Sequence, residues 1–295
     1  MPEDRPTLSA RMAALLDGLT RSIEEAEVLD APADKLADAV RGATQRRGLA
    51  DLLSGTFLGH PLHPLAVTVP IGAWSTAAVL DALRMRDGAR AATGVGLLVA
   101  PVAVLSGLSD WSTTSGPSRR VGFAHAGFNV AMIALYAASW WARKRGHHGT
   151  GVLLSIPAAA LIGASGWLGG HLIYARGVGV DVTTFEEHDR PLVDVAAEAD
   201  IRTGQMTRVE VGGQPVLLTR SRDGRVVALS DRCTHRGAPL HEGSCDGEVV
   251  QCPWHGSVFG LAEGEVRAGP ATRPQSVHVV EVVDGRVLVG GGERP

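Results

Sequence analysis

This chain of 295 residues has almost no charge excess, with 28 Lys and Arg against 31 Asp and Glu for a net charge of −3. A nucleic-acid partner asks for a basic patch or stripe, and none is written here. Nucleotide and hydrolase chemistry also lack their motifs. There is no phosphate loop, no dinucleotide fingerprint and no nucleophile elbow, and the 37 glycines are scattered through apolar runs and turns. No cleavable signal opens the chain. Cysteine is scarce: the three present, Cys233, Cys245 and Cys252, all lie in the final third.

Two of those cysteines sit beside histidines, as Cys233-Thr-His235 and, after sixteen intervening residues, Cys252-Pro-Trp-His255. Each knuckle offers one thiolate and one imidazole. A single zinc ion accepts two Cys and two His, but zinc fingers group their ligands as Cys-x2-4-Cys and His-x3-5-His. Mixed pairs on separate loops suit a binuclear cluster, with the cysteines on one iron and the histidines on the other. The flanking sequence reads as all-β. Valine-rich runs border two Asp-Gly hairpin turns, Asp223-Gly224 and Asp284-Gly285.

On CTHRGAPL (233–240), CPWHGSVF (252–259) and Gly269-Pro270-Ala271, the chain resembles the Rieske family. The resemblance implies a [2Fe-2S] cluster on Cys233, His235, Cys252 and His255, with both histidines on the solvent-facing iron. Neutral imidazoles in place of thiolates make such a cluster easier to reduce than an all-cysteine one. The family's respiratory branch adds a disulfide between the loops, but Ala238 and Trp254 stand at those places, which leaves Cys245 as a lone small thiol. Ser257 keeps a hydroxyl for the cluster, whereas Phe259 replaces the tyrosine of the high-potential branch. Fewer donors to the sulfurs imply a low-to-middle potential, as in the ferredoxin-type members. Rieske oxygenases carry a large catalytic domain after the second motif. Only forty residues follow His255, so a self-contained oxygenase is not expected.

The first half has a different character. Residues 91–109 contain no charged side chain, 121–142 and 151–173 contain one histidine each, and 62–83 contain Asp81 besides one histidine, His63. Each stretch is about the length that crosses a bilayer as a helix. Trp140 and Trp141 before Arg143-Lys144-Arg145 read as an interfacial belt with its anchor, and Gly166-x3-Gly170 as a site of close helix approach. This half, through GHPLHPLAVTVPIGAW (59–74) and GWLGGHLIYARGVGV (166–180), resembles a family of predicted four-span membrane proteins of unknown function. The expected fold is therefore multi-domain, an all-α four-helix transmembrane bundle followed by an all-β Rieske-type sandwich. The expected organisation is an amphipathic helical segment (1–50), the four-span domain (51–176), a linker (177–191) and the Rieske domain (192–295). The apolar positions Leu8, Met12, Leu15, Leu19 and Ile23 are expected to pack the first segment on the bundle or on the Rieske domain.

Four spans place both termini on one side of the bilayer, and His60, His63, His125 and His171 on that same side. Extended, the linker would reach about 50 Å. Ionisable groups within spans mark a cavity, a partner or a pathway. Three uses of His63, His125 and His171 stand open: hydrogen bonding to backbone carbonyls, ligation of haem b or another metal by His125 and His171, and a quinone pocket. Lys and Arg are similar in number on the two sides, so charge does not orient the spans. The absent disulfide and signal place the Rieske domain and termini in the cytoplasm. Arg46-Arg47 before an apolar stretch has the form of an export signal. The function expected is membrane-bound electron transfer through the cluster, relayed to or from a haem or quinone site in the bundle, with unidentified donor and acceptor proteins or a quinol. The alternative is a tethered Rieske ferredoxin serving a separate reductase or oxygenase, with the bundle only an anchor.

Overall fold

A computed structural model describes residues 7–44, 48–187 and 189–293. The Arg46-Arg47 pair lies outside them. The chain forms two compact units, Met1–Thr44 with His63–Val178 and Gln45–Leu62 with Gly179–Pro295. This division differs from the sequence-based boundaries at residues 48–62, which group with the C-terminal unit.

The first unit is helical. Helices α1 (Leu8–Glu24) and α2 (Asp30–Thr44) precede the short α3 (Leu49–Ser54), which belongs to the other unit, and α4 (Leu62–Ala66). The long helices follow as α5 (Thr68–Ala82), α6 (Arg86–Ser112), α7 (Gly116–Lys144) and α8 (His148–Tyr174). Four stretches are long and apolar enough to cross a membrane: Leu62–Ala82, Arg86–Ser112, Gly116–Lys144 and His148–Tyr174. Pro101 and Pro157 lie inside α6 and α8, positions that membrane helices tolerate when neighbours satisfy the freed backbone groups.

Close packing in the bundle rests on small residues facing large ones. Trp74 stacks on Tyr136 at 4.3 Å between ring centroids. Gly96 makes room for the indole, since a Cβ there would fall 2.3 Å from Trp74 Nε1. Gly122 accommodates Trp111 and Gly151 accommodates Arg143 in the same way. Gly166 and Gly170 do not serve as the expected contact: an added Cβ at Gly166 meets nothing within 4 Å, and one at Gly170 meets only Tyr174 of its own helix.

Two further expectations change. Arg143 is no interfacial anchor, because its side chain is only 1% exposed. Its Nη1 and Nη2 donate to the two carboxylate oxygens of Asp81 at 2.6 and 2.7 Å, and its Nε donates to Ser139 Oγ at 3.1 Å. Lys144 Nζ lies 5.2 Å from the centre of the Trp140 ring and Arg145 Cζ 4.7 Å from that of Trp141. The apolar stripe of α1 is also not packed: Leu8, Met12, Leu15 and Leu19 are exposed. The helix is held instead by the adjacent flank, where Trp167 Nε1 donates to Thr20 Oγ1 at 3.2 Å and Glu24 Oε1 meets His171 Nε2 at 2.9 Å. Helix α2 is fixed through Asp30, which receives Arg120 Nε and Nη2 at 2.6 Å each.

The second unit is a β structure of two antiparallel sheets. Its strands are β1 (Val193–Ala197), β2 (Thr207–Val211), β3 (Gln214–Arg220), β4 (Val226–Ser230), β5 (Ser244–Cys245), β6 (Val249–Gln251), β7 (Val258–Gly260), β8 (Val266–Ala268), β9 (Val277–Val283) and β10 (Arg286–Glu293). The larger sheet has the order β1-β10-β9-β4-β3-β2, and the smaller one β5-β6-β7-β8. Between β9 and β10, Val283 pairs with Arg286, and the two turn residues Asp284 and Gly285 have φ of 50° and 74°. Both central residues in the left-handed region make this the mirror-type turn that suits twisted strands. One apolar cluster, including Val211, Val216, Leu218, Val287 and Val289, fills the larger sheet. A second gathers Leu217, Leu229, Leu240, Phe259 and Leu261 around Cys233 and Cys252.

The segment before β1 is ordered against this unit instead of extended. Thr183 and Glu186 are buried, and Ser230 Oγ donates to Glu186 Oε2 at 2.6 Å. Arg190 O accepts from Gly291 N–H at 2.9 Å. A carboxylate buried in this way needs its hydrogen bond, and that bond draws the arm onto the sheet.

Candidate metal centre

Two loops carry the Cys-His pairs, each leaving a strand end. The first follows β4 and the second joins β6 to β7. They are closed alike. Gly237 N–H donates to Cys233 O at 2.7 Å and Gly256 N–H to Cys252 O at 3.2 Å, with φ of 75° and 76° at the two glycines. A side chain disfavours that backbone conformation, so each knuckle needs glycine where it turns back. Cys233 N–H also donates to Ala238 O and Cys252 N–H to Ser257 O, which pins each cysteine at its loop's base.

The result sorts the four side chains by type. The buried thiols of Cys233 and Cys252 hydrogen-bond to one another. The His235 and His255 rings lie 5.0 Å apart between centroids, edge to face at 89°. No three His, Cys, Asp or Glu residues among those described converge on one ion position, as a tetrahedral zinc site would require. The pairing fits a group with two metal positions. One buried atom points the same way: His235 Nδ1 has no hydrogen-bond partner among the described residues. An orphaned buried nitrogen costs free energy unless something ligates it or bonds to it.

The electrostatics suit ligation. The hydrogen bond from Cys233, with the backbone amides of Trp254 and His255, brings the Cys252 thiol down to about 6. The Cys233 thiol is pushed up by that shared hydrogen bond and by burial. Burial, then the neighbouring His255 and Arg236, push His235 down to about 3, so it is neutral at ordinary pH with a lone pair to offer. Trp254 beside His255 is 56% exposed, the large apolar side chain at this tip of the domain.

Apart from Ser257 and Ala271, the bracing comes from residues that carried no signal in the sequence. Buried Gln275 donates from Nε2 to Ser230 O and Arg232 O at 2.6 and 2.7 Å. Thr234 Oγ1 donates to Arg273 O at 2.9 Å. The 273–275 segment thus ties down the first loop. Ser257 is fully buried and accepts from Ala271 N–H at 3.0 Å. Asp231 fixes the start of the first loop by accepting from His241 N–H at 2.8 Å. Cys245 lies in β5, where its sulfur accepts from Gly247 N–H, and no disulfide joins the described cysteines.

The bundle histidines have partners of their own. His63 Nδ1–H donates to Ala103 O at 2.8 Å, beside Gly107. His125 Nδ1–H donates to Ser165 O at 2.9 Å, which leaves Nε2 to accept from Asn129 Nδ2 at 3.0 Å. Ser165 Oγ closes the ring by donating to Asn129 Oδ1 at 2.7 Å. His171 is engaged separately by Glu24. His60 is exposed and lies in the other unit.

Fold and site together define an iron–sulfur electron carrier of the Rieske class. Residues 192–283 match the Rieske [2Fe-2S] domain, and the chain belongs to that family. Residues 59–182 match a second family, described as a predicted membrane protein (DUF2231). Ferredoxin CarAc of Metapseudomonas resinovorans is 40% identical over 101 residues, 34% of this chain and 94% of the relative. The ferredoxin component of biphenyl 2,3-dioxygenase from Rhodococcus jostii (strain RHA1) is 33% identical over 98 residues, 33% of this chain and 91% of the relative. Among solved structures, the complex of reduced oxygenase and oxidized ferredoxin in carbazole 1,9a-dioxygenase contains a chain 40% identical. The match covers 33% of this chain and 99% of that one, with a TM-score of 0.31.

Proposed function

We propose that this chain is a membrane-tethered Rieske ferredoxin that passes single electrons from a reductase to a terminal oxidising partner. Cys233 and Cys252 hold one iron and His235 and His255 the other. The observation that carries the reading is the pairing of thiol with thiol and imidazole with imidazole around a buried, unsatisfied His235 Nδ1. The bound [2Fe-2S] group supplies a one-electron carrier. The protein's part is positional. Thr234 and Gln275 hold the first loop, the backbone amides of Trp254 and His255 point at the Cys252 sulfur, and the exposed Trp254 offers an apolar contact beside the histidine-held iron. The partner class rests on the ferredoxins matched above, one of which is named as a dioxygenase component.

Anchoring is the role the bundle supports best. His125 has both ring nitrogens engaged, and His171 is held by Glu24. A haem or quinone relay would have to break those bonds first. Ala238 and Trp254, where the inter-loop disulfide of the respiratory branch would stand, favour a cytoplasmic Rieske unit.

A dithionite-reduced minus oxidised spectrum of the full chain in detergent tests all of this. The expected result is broad iron–sulfur bleaching without a sharp haem band, and its disappearance in Cys252→Ser. A full signal in Cys252→Ser overturns the ligand assignment. A haem band lost in His125→Ala or His171→Ala would move the function into the bundle.

A further inference from the structure

The residues leading to the first span, 49–59, fold onto the loop that follows β8. Asp51 Oδ1 accepts from Gly269 N–H at 2.6 Å, and Thr56 Oγ1 donates to Ala271 O at 3.2 Å. Leu53 and Ser54 are buried there, and Ser54 Oγ lies 3.2 Å from Thr56 Oγ1. The fit is tight. A Cβ on Gly269 would fall 2.3 Å from Thr56 Oγ1, 3.0 Å from Ser54 Oγ and 3.2 Å from Asp51 Oδ1. The segment turns back on itself at Gly55, with φ of 81°, where a Cβ would meet His60 O at 2.3 Å. All of these residues belong to one compact unit.

The clamped loop is continuous with the metal centre. Ala271 packs in the same apolar cluster as Cys233 and Cys252. Its N–H donates to Ser257 Oγ, and the carbonyl of Ser257 receives Cys252 N–H at 2.8 Å. Asp51 and Thr56 therefore grip the two ends of a three-residue span, Gly269 to Ala271, whose last amide fixes a buried hydroxyl in the second ligand loop. Because Ser257 Oγ accepts there, its own hydrogen is left to donate.

We propose that residues 49–59 are a built-in strap on the Rieske domain and that Asp51 is a positioning residue. Through Gly269 and Ala271 it holds Ser257 Oγ as a donor to the cluster, which raises the reduction potential. This inference rests on the ligand assignment proposed above. A donor to the cluster sulfurs stabilises the more negative, reduced state, so loosening the strap lowers the potential.

Redox titration of the visible iron–sulfur signal in the full chain provides the test. Asp51→Ala should shift the midpoint downward, while Asp51→Asn, which keeps an oxygen for Gly269 N–H, should return it toward the starting value. On a Ser257→Ala background, Asp51→Ala should produce no further shift. Gly269→Ala reaches the same contact from the other side and should lower the midpoint too; it carries the test if Asp51→Ala does not retain its cluster. A midpoint unmoved in Asp51→Ala and Gly269→Ala, or a shift that persists in full without Ser257, overturns the strap's role. Absence of any iron–sulfur signal in the unsubstituted chain instead overturns the ligand assignment, and the strap's role with it.

Discussion

Three donors converge on the carboxylate of Asp223, at the turn between β3 and β4. The Ser221 hydroxyl, then the Arg225 guanidinium and backbone amide, hold it down to about 2. An unfolded aspartate titrates near ~3.9. Between those two values the unfolded chain binds more protons than the folded one, so stability rises with pH across the window. The turn's contribution is present in full above about 4 and is lost as pH falls through about 2. Asp223→Asn should flatten the acid dependence of unfolding in that window, and identical acid profiles for the two proteins would refute the assignment. Asp223-Gly224 was readable in the sequence because turn chemistry is local. Cys233, His235, Cys252 and His255 stood out for the same reason, because their spacing lies within two short loops, and the structure brings them together thiol to thiol and ring to ring. Gln275 was not readable, since what makes it a brace is the placement of Ser230 and Arg232 some forty residues earlier.

Among the elements, the bundle shows where hydropathy stops being informative. Apolar runs located the candidate spans: three of the long helices bracket their runs with a few residues to spare, and Leu62–Ala82 stops one residue short of the first run. Hydropathy could not say which ionisable residue turns inward. Arg143 follows two tryptophans and reads as an anchor, yet it joins α7 to α5 through Asp81, with His148 of α8 at 3.1 Å from the same carboxylate. Both members are nearly excluded from contact with the surroundings. Removing Arg143 leaves the Asp81 carboxylate with only His148 beside it, so the cost approaches, from below, the roughly 3–5 kcal/mol of an unpaired buried charge. Arg143→Leu should therefore unfold in detergent well below the parent protein, followed by loss of helical circular dichroism on heating. The double change Arg143→Leu with Asp81→Leu should recover most of the difference, because it removes both charges and fills the site with apolar atoms. Equal losses in the single and double variants would show that the pair is not the clamp. The strap is a harder case for sequence reading. Asp51 and Gly269 are 218 residues apart, and neither has a pattern that announces the other.

At the scale of the whole molecule, the number of spans constrains sidedness even though charge does not. A span must satisfy its backbone hydrogen bonds internally, and each of the four apolar helices is long enough to cross completely. Four crossings would return the chain to the side on which it began. The residues between α5 and α6 and between α7 and α8 would then share one face of the bilayer, and the segments before α4 and after α8 would share the other. Met85 and His147 occupy the two intervening turns, and both are exposed. Glu281, exposed on β9, reports on the Rieske unit. In a Cys245→Ser chain, Met85→Cys and His147→Cys should react alike with a membrane-impermeant maleimide on intact cells. Glu281→Cys should show the opposite reactivity until the membrane is opened. If Met85 and His147 differ, one of the four helices does not cross. If all three react alike, α8 does not cross and the Rieske unit is on the face of the intervening turns. The expected pattern fixes at the same time what the balanced Lys and Arg counts left open, because whichever pair is labelled from outside names the compartment in which the electron carrier meets its partners.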